Sequence, residues 1–361
     1  MIFLGDIPPP LHGMSAINKQ MLDRLRKVSP VTFINSSPSF LARYYHSRLW
    51  LLIKIAFFFP VTLRLVWALT VKRERVLYRS LNGGSGQVFD FFWVGFARLL
   101  GAQIFLHHHA ALYLTCPSKL FALVCKAAGA NTRHIVLGEA MRVALEENYN
   151  IPDERISVLS NAAFFANSNA IETPEARTHA LKIGYLANIS FSKGIDVVLK
   201  TLTQLKQLGV PFEAVIAGPC HDPELKKQLD QACFELPELK YLGGLYGDDK
   251  TRFFSDLDCF IYPSRNEAEP LVIYEAAVEG AYILSSEAGC MKSSTQRLEG
   301  WSMPLTAVEV WANSAASHIS NFAISTFDAS RQSRKNIFQA FISEAHTDLD
   351  SLIKEITHAK A

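Results

Sequence analysis

The chain is short of the features that mark secreted, metal-stapled or repetitive proteins. Its six cysteines, at positions 116, 125, 220, 233, 259 and 290, form no Cys-x-x-Cys and no paired spacing. That pattern argues against a disulfide framework and against a zinc finger, and it suits buried thiols in a reducing compartment. No secretory signal opens the sequence, because Met1 leads straight into a short strand, Ile2-Phe-Leu4, and the turn Gly5-Asp-Ile-Pro-Pro-Pro10. A cytoplasmic protein is the expectation. There is no internal repeat and no low-complexity tract, so solenoids and long disordered tails are out. The most apolar segment, Phe40 to Val76, is interrupted by Lys54, Pro60 and Arg64. A transmembrane helix needs roughly 20 apolar residues, so an interrupted run of this kind argues against a simple span.

What is present is ample for two cores. The chain has 361 residues, of which 49% are hydrophobic, and strand-like runs alternate with helix-like ones throughout. That alternation predicts α/β layers on parallel sheets, in two domains. The formal charge of +2 hides an asymmetry. Residues 1–150 hold 17 Lys and Arg against 7 Asp and Glu, leaving 19 of the 36 basic and 27 of the 34 acidic residues for the remainder. Much of the positive charge accompanies residues 40–76. An interfacial helix or hairpin fits that segment, with Trp and Phe dipping inward and Arg and Lys facing anionic headgroups. Core helices of the first domain are the other reading. No nucleic-acid module accompanies the basic residues, so nucleic acid is not expected as a partner.

The chemistry is concentrated between Tyr262 and Glu275. A β-type run, Cys259-Phe-Ile-Tyr262, ends at Pro263, and a polar loop follows. Pro270 is suited to the first position of a helix that Gly280 closes before the strand Ala281-Tyr-Ile-Leu284. The loop sets Glu267 beside the helix N-terminus, and Glu275 lies about one and a half turns in. Backbone N–H groups at such an end suit phosphate, and two carboxylates beside it suit ribose or sugar hydroxyls. Farther upstream, Ile183 to Gly194 reads as strand, loop and helix start, followed by a stripe of Ile195, Val198, Leu199, Leu202, Leu205 and Leu208. Lys193 sits at that junction, where an ammonium suits a phosphate's negative charge.

The Glu-x7-Glu spacing, preceded by Pro-Ser and followed by Ala, resembles the donor-site signature of glycosyltransferase family 4. That family is the retaining, group 1 branch of the GT-B enzymes. The resemblance implies two Rossmann-like domains facing across a cleft: an acceptor domain at 1–165, a linker at 166–180, a donor domain at 181–325 and a C-terminal helical segment at 326–361. It runs from about Ile2 to Gly289, specific in the second domain and loose in the first. In the family an arginine and a lysine grip the diphosphate. Here Lys193 matches the lysine, Asn188 stands in the arginine's place, and Arg265 is the candidate to restore the charge. Ala214-Val-Ile-Ala-Gly-Pro219 and Tyr241-Leu-Gly-Gly244 resemble segments whose backbone approaches the nucleotide, which singles out Gly218. The implied donor site is completed by Pro270, Leu271 and Glu275, the last on the ribose. Glu267 is implied to contact the sugar and to stabilise positive charge as the glycosidic bond loosens. Ala268-Glu-Pro270 departs from the family's frequent Gly-Phe-Gly.

In the first domain, Pro8 to Ser15 resembles the loop that covers the diphosphate, with His12-Gly13 replacing the commoner Gly-Gly and a helix expected from about Ser15. Gln103-Ile-Phe-Leu-His-His-His109 is a strand ending in histidines, and the family commonly places one against the transferred sugar. His109 is the first choice, as a catalytic contact, with His107 next. Strand alternation puts His107 and His109 on one face and His108 on the other, against a metal site made of all three. The family needs no bound metal and no cofactor beyond the nucleotide-sugar. Ser160-Asn161-Ala162 matches a frequent Pro-Asn-Gly only at Asn161, and His12 and Asn161 join His107 as the implied acceptor or sugar contacts. The implied reaction moves a sugar from a UDP- or GDP-sugar to a glycan or lipid-linked acceptor, as in cell-surface polysaccharide assembly. Two alternatives stay open: a GT-B sugar-nucleotide epimerase, and a non-catalytic nucleotide-sugar-binding member of an assembly complex.

Overall fold

The structure, a computed structural model, describes residues 1–9, 12–44, 49–166, 180–321 and 330–359. The first half contributes β1 (Ile2–Gly5), β2 (Thr32–Asn35), β3 (Val76–Ser80), β4 (Gln103–His107), β5 (Arg133–Val136) and β6 (Ile156–Val158). They form one parallel sheet in the order β2-β1-β3-β4-β5-β6. Helices α1 (Gly13–Val28), α2 (Leu49–Thr70), α3 (Gln87–Leu99), α4 (Leu112–Thr115), α5 (Lys119–Ala128) and α6 (Glu139–Tyr149) connect its strands. The second half contributes β7 (Leu181–Leu186), β8 (Phe212–Ala217), β9 (Leu239–Tyr241), β10 (Cys259–Tyr262), β11 (Tyr282–Ser286) and β12 (Trp301–Met303). These make a second parallel sheet, β12-β11-β10-β7-β8-β9. Its helices are α7 (Ile195–Gln207), α8 (Pro223–Glu235), α9 (Gly247–Ser255), α10 (Leu271–Val278), α11 (Met291–Arg297) and α12 (Val308–Ser320).

Strands such as β1 and β10 are buried along their whole length, which is why they read as continuous apolar runs and not as alternating ones. In both sheets the order reverses direction at the central strand, between β1 and β3 and between β10 and β7. Such switch points open crevices at the strands' carboxyl ends, where α/β proteins hold ligands.

The chain divides into two units, Met1–Phe165 with Glu344–Ala361, and Ala166–Ser343. Of the linker expected at 166–180, residues 167–179 lie outside the described ones. The expected C-terminal helix runs over Arg331–His358. Within the second unit its Phe338 ring stacks on Tyr274 at 5.5 Å. Phe338, Phe341 and Ile342 are buried, with Ile337 only half-buried.

Three details correct the sequence reading. Helix α1 starts at Gly13, two residues early, because His12 caps it: the His12 Nδ1 accepts from the Ser15 N–H at 3.3 Å while the Ser15 hydroxyl accepts from the His12 N–H at 3.0 Å. Pro270 is the cap of α10, and Leu271 is its first helical residue. On α7, Val197 and Thr201 join Ile195, Val198, Leu202 and Leu205 in the buried face. Leu199 is half-buried, and Leu208 lies past the helix end and is exposed.

Candidate functional site

In the second unit the predicted residues converge at the carboxyl ends of β7 and β10. The strand β10 delivers Tyr262 and Pro263, and the loop after it returns across the start of α7. Arg265 N–H donates to the Ser192 carbonyl at 2.8 Å, fastening that loop to the one bearing Lys193. The two loops touch so closely that a Cβ on Gly194 would lie 2.1 Å from the Pro263 carbonyl oxygen. Gly194 also has φ of +79°, so it is doubly required there. This clasp brings the Lys193 ammonium onto Glu267 Oε1 as an ion pair. The same oxygen accepts from the Tyr262 hydroxyl at 2.6 Å. Burial, with Glu267's charge beside it, holds the Tyr262 phenol well above its usual range, so it stays a donor. Glu267 is therefore held by two donors from two strand ends.

Arg265 lies near Lys193 in chain terms but is engaged elsewhere. Its guanidinium forms a fork on Asp196, with bonds of 2.9 and 2.7 Å, and donates to the Phe191 carbonyl. Asn188 is exposed just past β7. At the end of β8, Gly218 has φ of +121°, and a Cβ there would lie 1.7 Å from the Ala187 carbonyl oxygen. Its N–H donates to Gly243 at 2.6 Å and its carbonyl accepts from the Tyr241 hydroxyl at 2.8 Å. Gly218 thus ties three strand ends into one surface.

Helix α10 starts with no side-chain cap and no acid in its first turn, leaving its positive end undressed. Glu275 Oε1 is paired with the Lys250 ammonium at 2.6 Å, while Oε2 is buried and makes no hydrogen bond to the described residues. A buried carboxylate oxygen of that kind calls for a donor.

In the first unit His107 and His109 share a face, their ring centroids 4.1 Å apart. His108 points to the other, bonding the Tyr113 hydroxyl at 2.9 Å and His134 Nδ1 at 3.0 Å. His107 Nδ1 meets the Tyr78 hydroxyl, whereas His109 Nε2 is buried with no hydrogen bond to the described residues. His12 Nε2 lies 3.2 Å from Asp6 Oδ2. Burial alone would raise the Asp6 carboxyl, but the His12 hydrogen bond and the charges of His12 and Arg79 outweigh it and hold it low. Gly13 is an ordinary first helical residue that uses no left-handed backbone freedom, contrary to the loop role expected of it. Asn161 is buried at the start of a 3-10 turn, Asn161–Phe164, that packs on α1. Among the described residues no group of three or more His, Cys, Asp or Glu converges on a common point.

These imidazoles set the response to acid. Burial pushes His109 down to about 4 and His134 to about 3, and holds His107 and His108 well below their usual range. The unfolded chain takes up protons below about pH 6.5, which the folded chain refuses, so stability is complete above that pH and falls as the pH drops toward 4. An imidazole kept neutral down to about pH 4 accounts for about 3 kcal/mol. Urea titrations from pH 7.5 to 4.5 are expected to show a midpoint falling steeply below pH 6.5, less so in His109→Gln. A pH-independent midpoint across that window would refute the neutral cluster.

Sequence reasoning missed Lys250, Tyr262 as a partner, Glu269 and Gly289. Glu269 is buried, accepting from Tyr274 at 2.5 Å and Ser294 at 3.3 Å. A Cβ on Gly289 would lie 2.2 Å from the Glu267 carbonyl oxygen, so Gly289 lets β11's loop press on the Glu267 loop. Lys250 carries no local signal for a partner 25 residues away.

Residues 168–321 match the family Glycosyl transferases group 1. No curated protein matches the sequence. Among solved structures, HepE from Anabaena in complex with UDP superposes with a TM-score of 0.69 at 16% identity, over 99% of this chain and 100% of that one. A glycosyltransferase from Rickettsia africae gives 0.70 at 12% identity, over 99% of both chains. The lipopolysaccharide outer core galactosyltransferase WaaB gives 0.66 at 15%, over 95% and 98%. At these identities the likeness is one of fold, two parallel sheets of the GT-B kind. Residues 168–321 thus form a Glycosyl transferases group 1 domain, within a chain whose two parallel sheets have the GT-B fold of glycosyltransferase structures.

Proposed function

We propose that the protein transfers a sugar from a UDP- or GDP-sugar, with retention of anomeric configuration, to a glycan or lipid-linked acceptor in cell-surface polysaccharide assembly at the cytoplasmic face of a membrane. The observation that carries the donor site is Glu275: one oxygen fixed by Lys250, the other buried without a donor, on a helix whose N-terminus is uncapped. Ribose hydroxyls satisfy Oε2, and the diphosphate meets the N–H groups of Leu271 and Val272. Lys193 stabilises the departing diphosphate, while Glu267 faces the positive charge that grows on the sugar. His109, neutral at physiological pH, offers Nε2 to a sugar hydroxyl. The reaction is written with a phosphate oxygen taking the acceptor's proton, so no protein base and no metal or cofactor is assigned. The UDP, UDP-with-glucose and UDP-glucose complexes of HepE make uridine donors the first to try.

A panel of UDP-, GDP- and ADP-sugars, with nucleotide release as readout, tests this. Glu275→Ala is expected to raise KM for the one productive donor by about 10- to 100-fold, the loss of one or two charge-assisted bonds. Lys250→Ala is expected to act in the same direction but less, through KM and not kcat, since Lys250 orients the carboxylate without touching the donor. Unchanged KM in both would remove Glu275 from the donor site. One observation favours the non-catalytic alternative: Arg265 is committed to Asp196 and Lys193 to Glu267, leaving neither predicted cation unpaired. In that case a nucleotide raises the melting temperature while no donor turns over. Interconversion of free UDP-sugars would mark an epimerase instead.

A further inference from the structure

We propose that the outward face of α2 docks the protein onto an anionic phospholipid surface, with the helix lying in the membrane plane. The helix is 22 residues, about 33 Å long, and continues through Pro60 as a single rod, not a hairpin. Leu52, Ile55, Phe59, Leu63 and Trp67 recur at three- and four-residue spacing and are all exposed, Leu63 by 72%. Val88 and Phe92 of the neighbouring α3 extend the apolar surface, and the Phe92 ring lies 5.8 Å from Phe58. Isolated exposed leucines are ordinary, but a continuous stripe of this length marks a contact surface.

The opposite face decides how the helix meets the bilayer. Val61, Leu65, Ala68 and Leu69 are fully buried in the first unit, and the Trp93 indole donates to Thr62 at 2.9 Å. Spanning a membrane would strip those contacts, so the helix engages from the side. Charge identifies the occupant. From residue 40 to 73 there is no Asp or Glu, while Arg64 lies in the stripe and Lys72 and Arg73 lie exposed at its end. The Lys72 ammonium sits 4.9 Å from the centre of the Trp67 ring, an arrangement that puts an aromatic and a cation at one depth. Lys54, one of the residues that interrupt the apolar run, is half-buried; burial lowers its pKa, Asp6 and Asp90 oppose the shift and Arg79 adds to it, so it is not counted among the headgroup contacts. A second copy of the chain is a poor occupant, because a two-fold contact through this stripe sets Arg64 near its own equivalent.

The biological meaning rests on the lipid-linked acceptor, but the contact is measured without donor or acceptor. Purified protein is sedimented with vesicles of phosphatidylcholine alone or mixed with phosphatidylglycerol, and tryptophan emission is followed, with Trp67→Phe as the control for the other four tryptophans. Binding to the anionic vesicles, weakened by salt and accompanied by a blue shift, is expected. Phe59→Glu with Leu63→Glu should lower the partition coefficient at least tenfold at an unchanged melting temperature. Arg64→Gln, Lys72→Gln and Arg73→Gln should each cost about fivefold on anionic vesicles only. Equal affinity for both vesicle types, or none for either, overturns the proposal. So does a concentration-dependent dimer that Phe59→Glu with Leu63→Glu abolishes. Nucleotide release from a productive donor is scored separately, so either reading can fail alone.

Discussion

Glu267→Gln is expected to lower kcat by about a hundredfold or more while KM for the donor stays level or falls. Removing one preorganised electrostatic contact to a developing charge typically costs 10²–10³ in turnover. Glutamine keeps the length of the side chain and can still accept the Tyr262 hydroxyl at Oε1, so the loop keeps its geometry. What it removes is the negative charge that faces the sugar, together with the partner of Lys193. Freed of that partner, the ammonium is more available to the diphosphate, which is why donor binding should not weaken. Ala would be a less clean test, since it strands a buried phenol without an acceptor at a cost of about 1–3 kcal/mol. Steady-state kinetics on the productive donor decides the matter. Turnover within threefold of the parent would leave Glu267 as a strut between two loops, with no part in the chemistry.

That pairing also shows what the sequence could and could not disclose. The two carboxylates and Lys193 were legible because each sits within a few residues of a strand end or a helix start, where local signals place the backbone. The two sheets were legible for the same reason, as buried runs such as Cys259-Phe-Ile-Tyr262 separated by helical stripes. Partner choice was not. Arg265 was assigned to a diphosphate from its position in the loop, yet Asp196, 69 residues away in the chain, holds it with a bidentate fork. His12 was read as an acceptor or sugar contact in the loop over the diphosphate, and the first turn of α1 uses its imidazole as a cap. For Arg265 the partner is set by which strand ends become neighbours in the sheet, which one-dimensional spacing does not contain; for His12 it is Ser15, three residues on, a local capping pair that the loop reading passed over. The segment 40–76 was read as either membrane contact or core. Its helix is buried on one face and apolar on the other, so periodicity alone could not separate two signals superposed on one rod.

The second large effect belongs to a pair that no motif announced. Asp90→Ala is expected to destabilise the first unit by about 3–5 kcal/mol, a drop of about 10 °C or more in its melting temperature. Arg79 and Asp90 are both fully buried. The Asp90 carboxylate accepts from Arg79 Nε at 2.8 Å and from its Nη2, and from the Asn82 N–H at 2.9 Å and Asn82 Nδ2 at 3.0 Å. Arg79 in turn donates to the Leu4 carbonyl and the Ser36 hydroxyl, each at 3.1 Å, with Trp93 stacked 4.9 Å away. Removing the carboxylate leaves a guanidinium in a dry site with one face unanswered, which costs more than the pair ever contributed. Burial raises the Asp90 carboxyl even with Arg79 beside it, the mark of a desolvation cost that the attraction does not fully offset. It follows that the double variant Arg79→Met with Asp90→Leu should recover most of the lost stability, since it withdraws both charges together. The network's use is then positional: it joins the ends of β1 and β3 to the turn at Asn82, next to the loop that carries Asp6. Thermal melts of the single and double variants separate the two ideas. A double variant as unstable as Asp90→Ala would show that the pair holds the unit together through its charges, and a recovered one that it sets the shape of the strand ends.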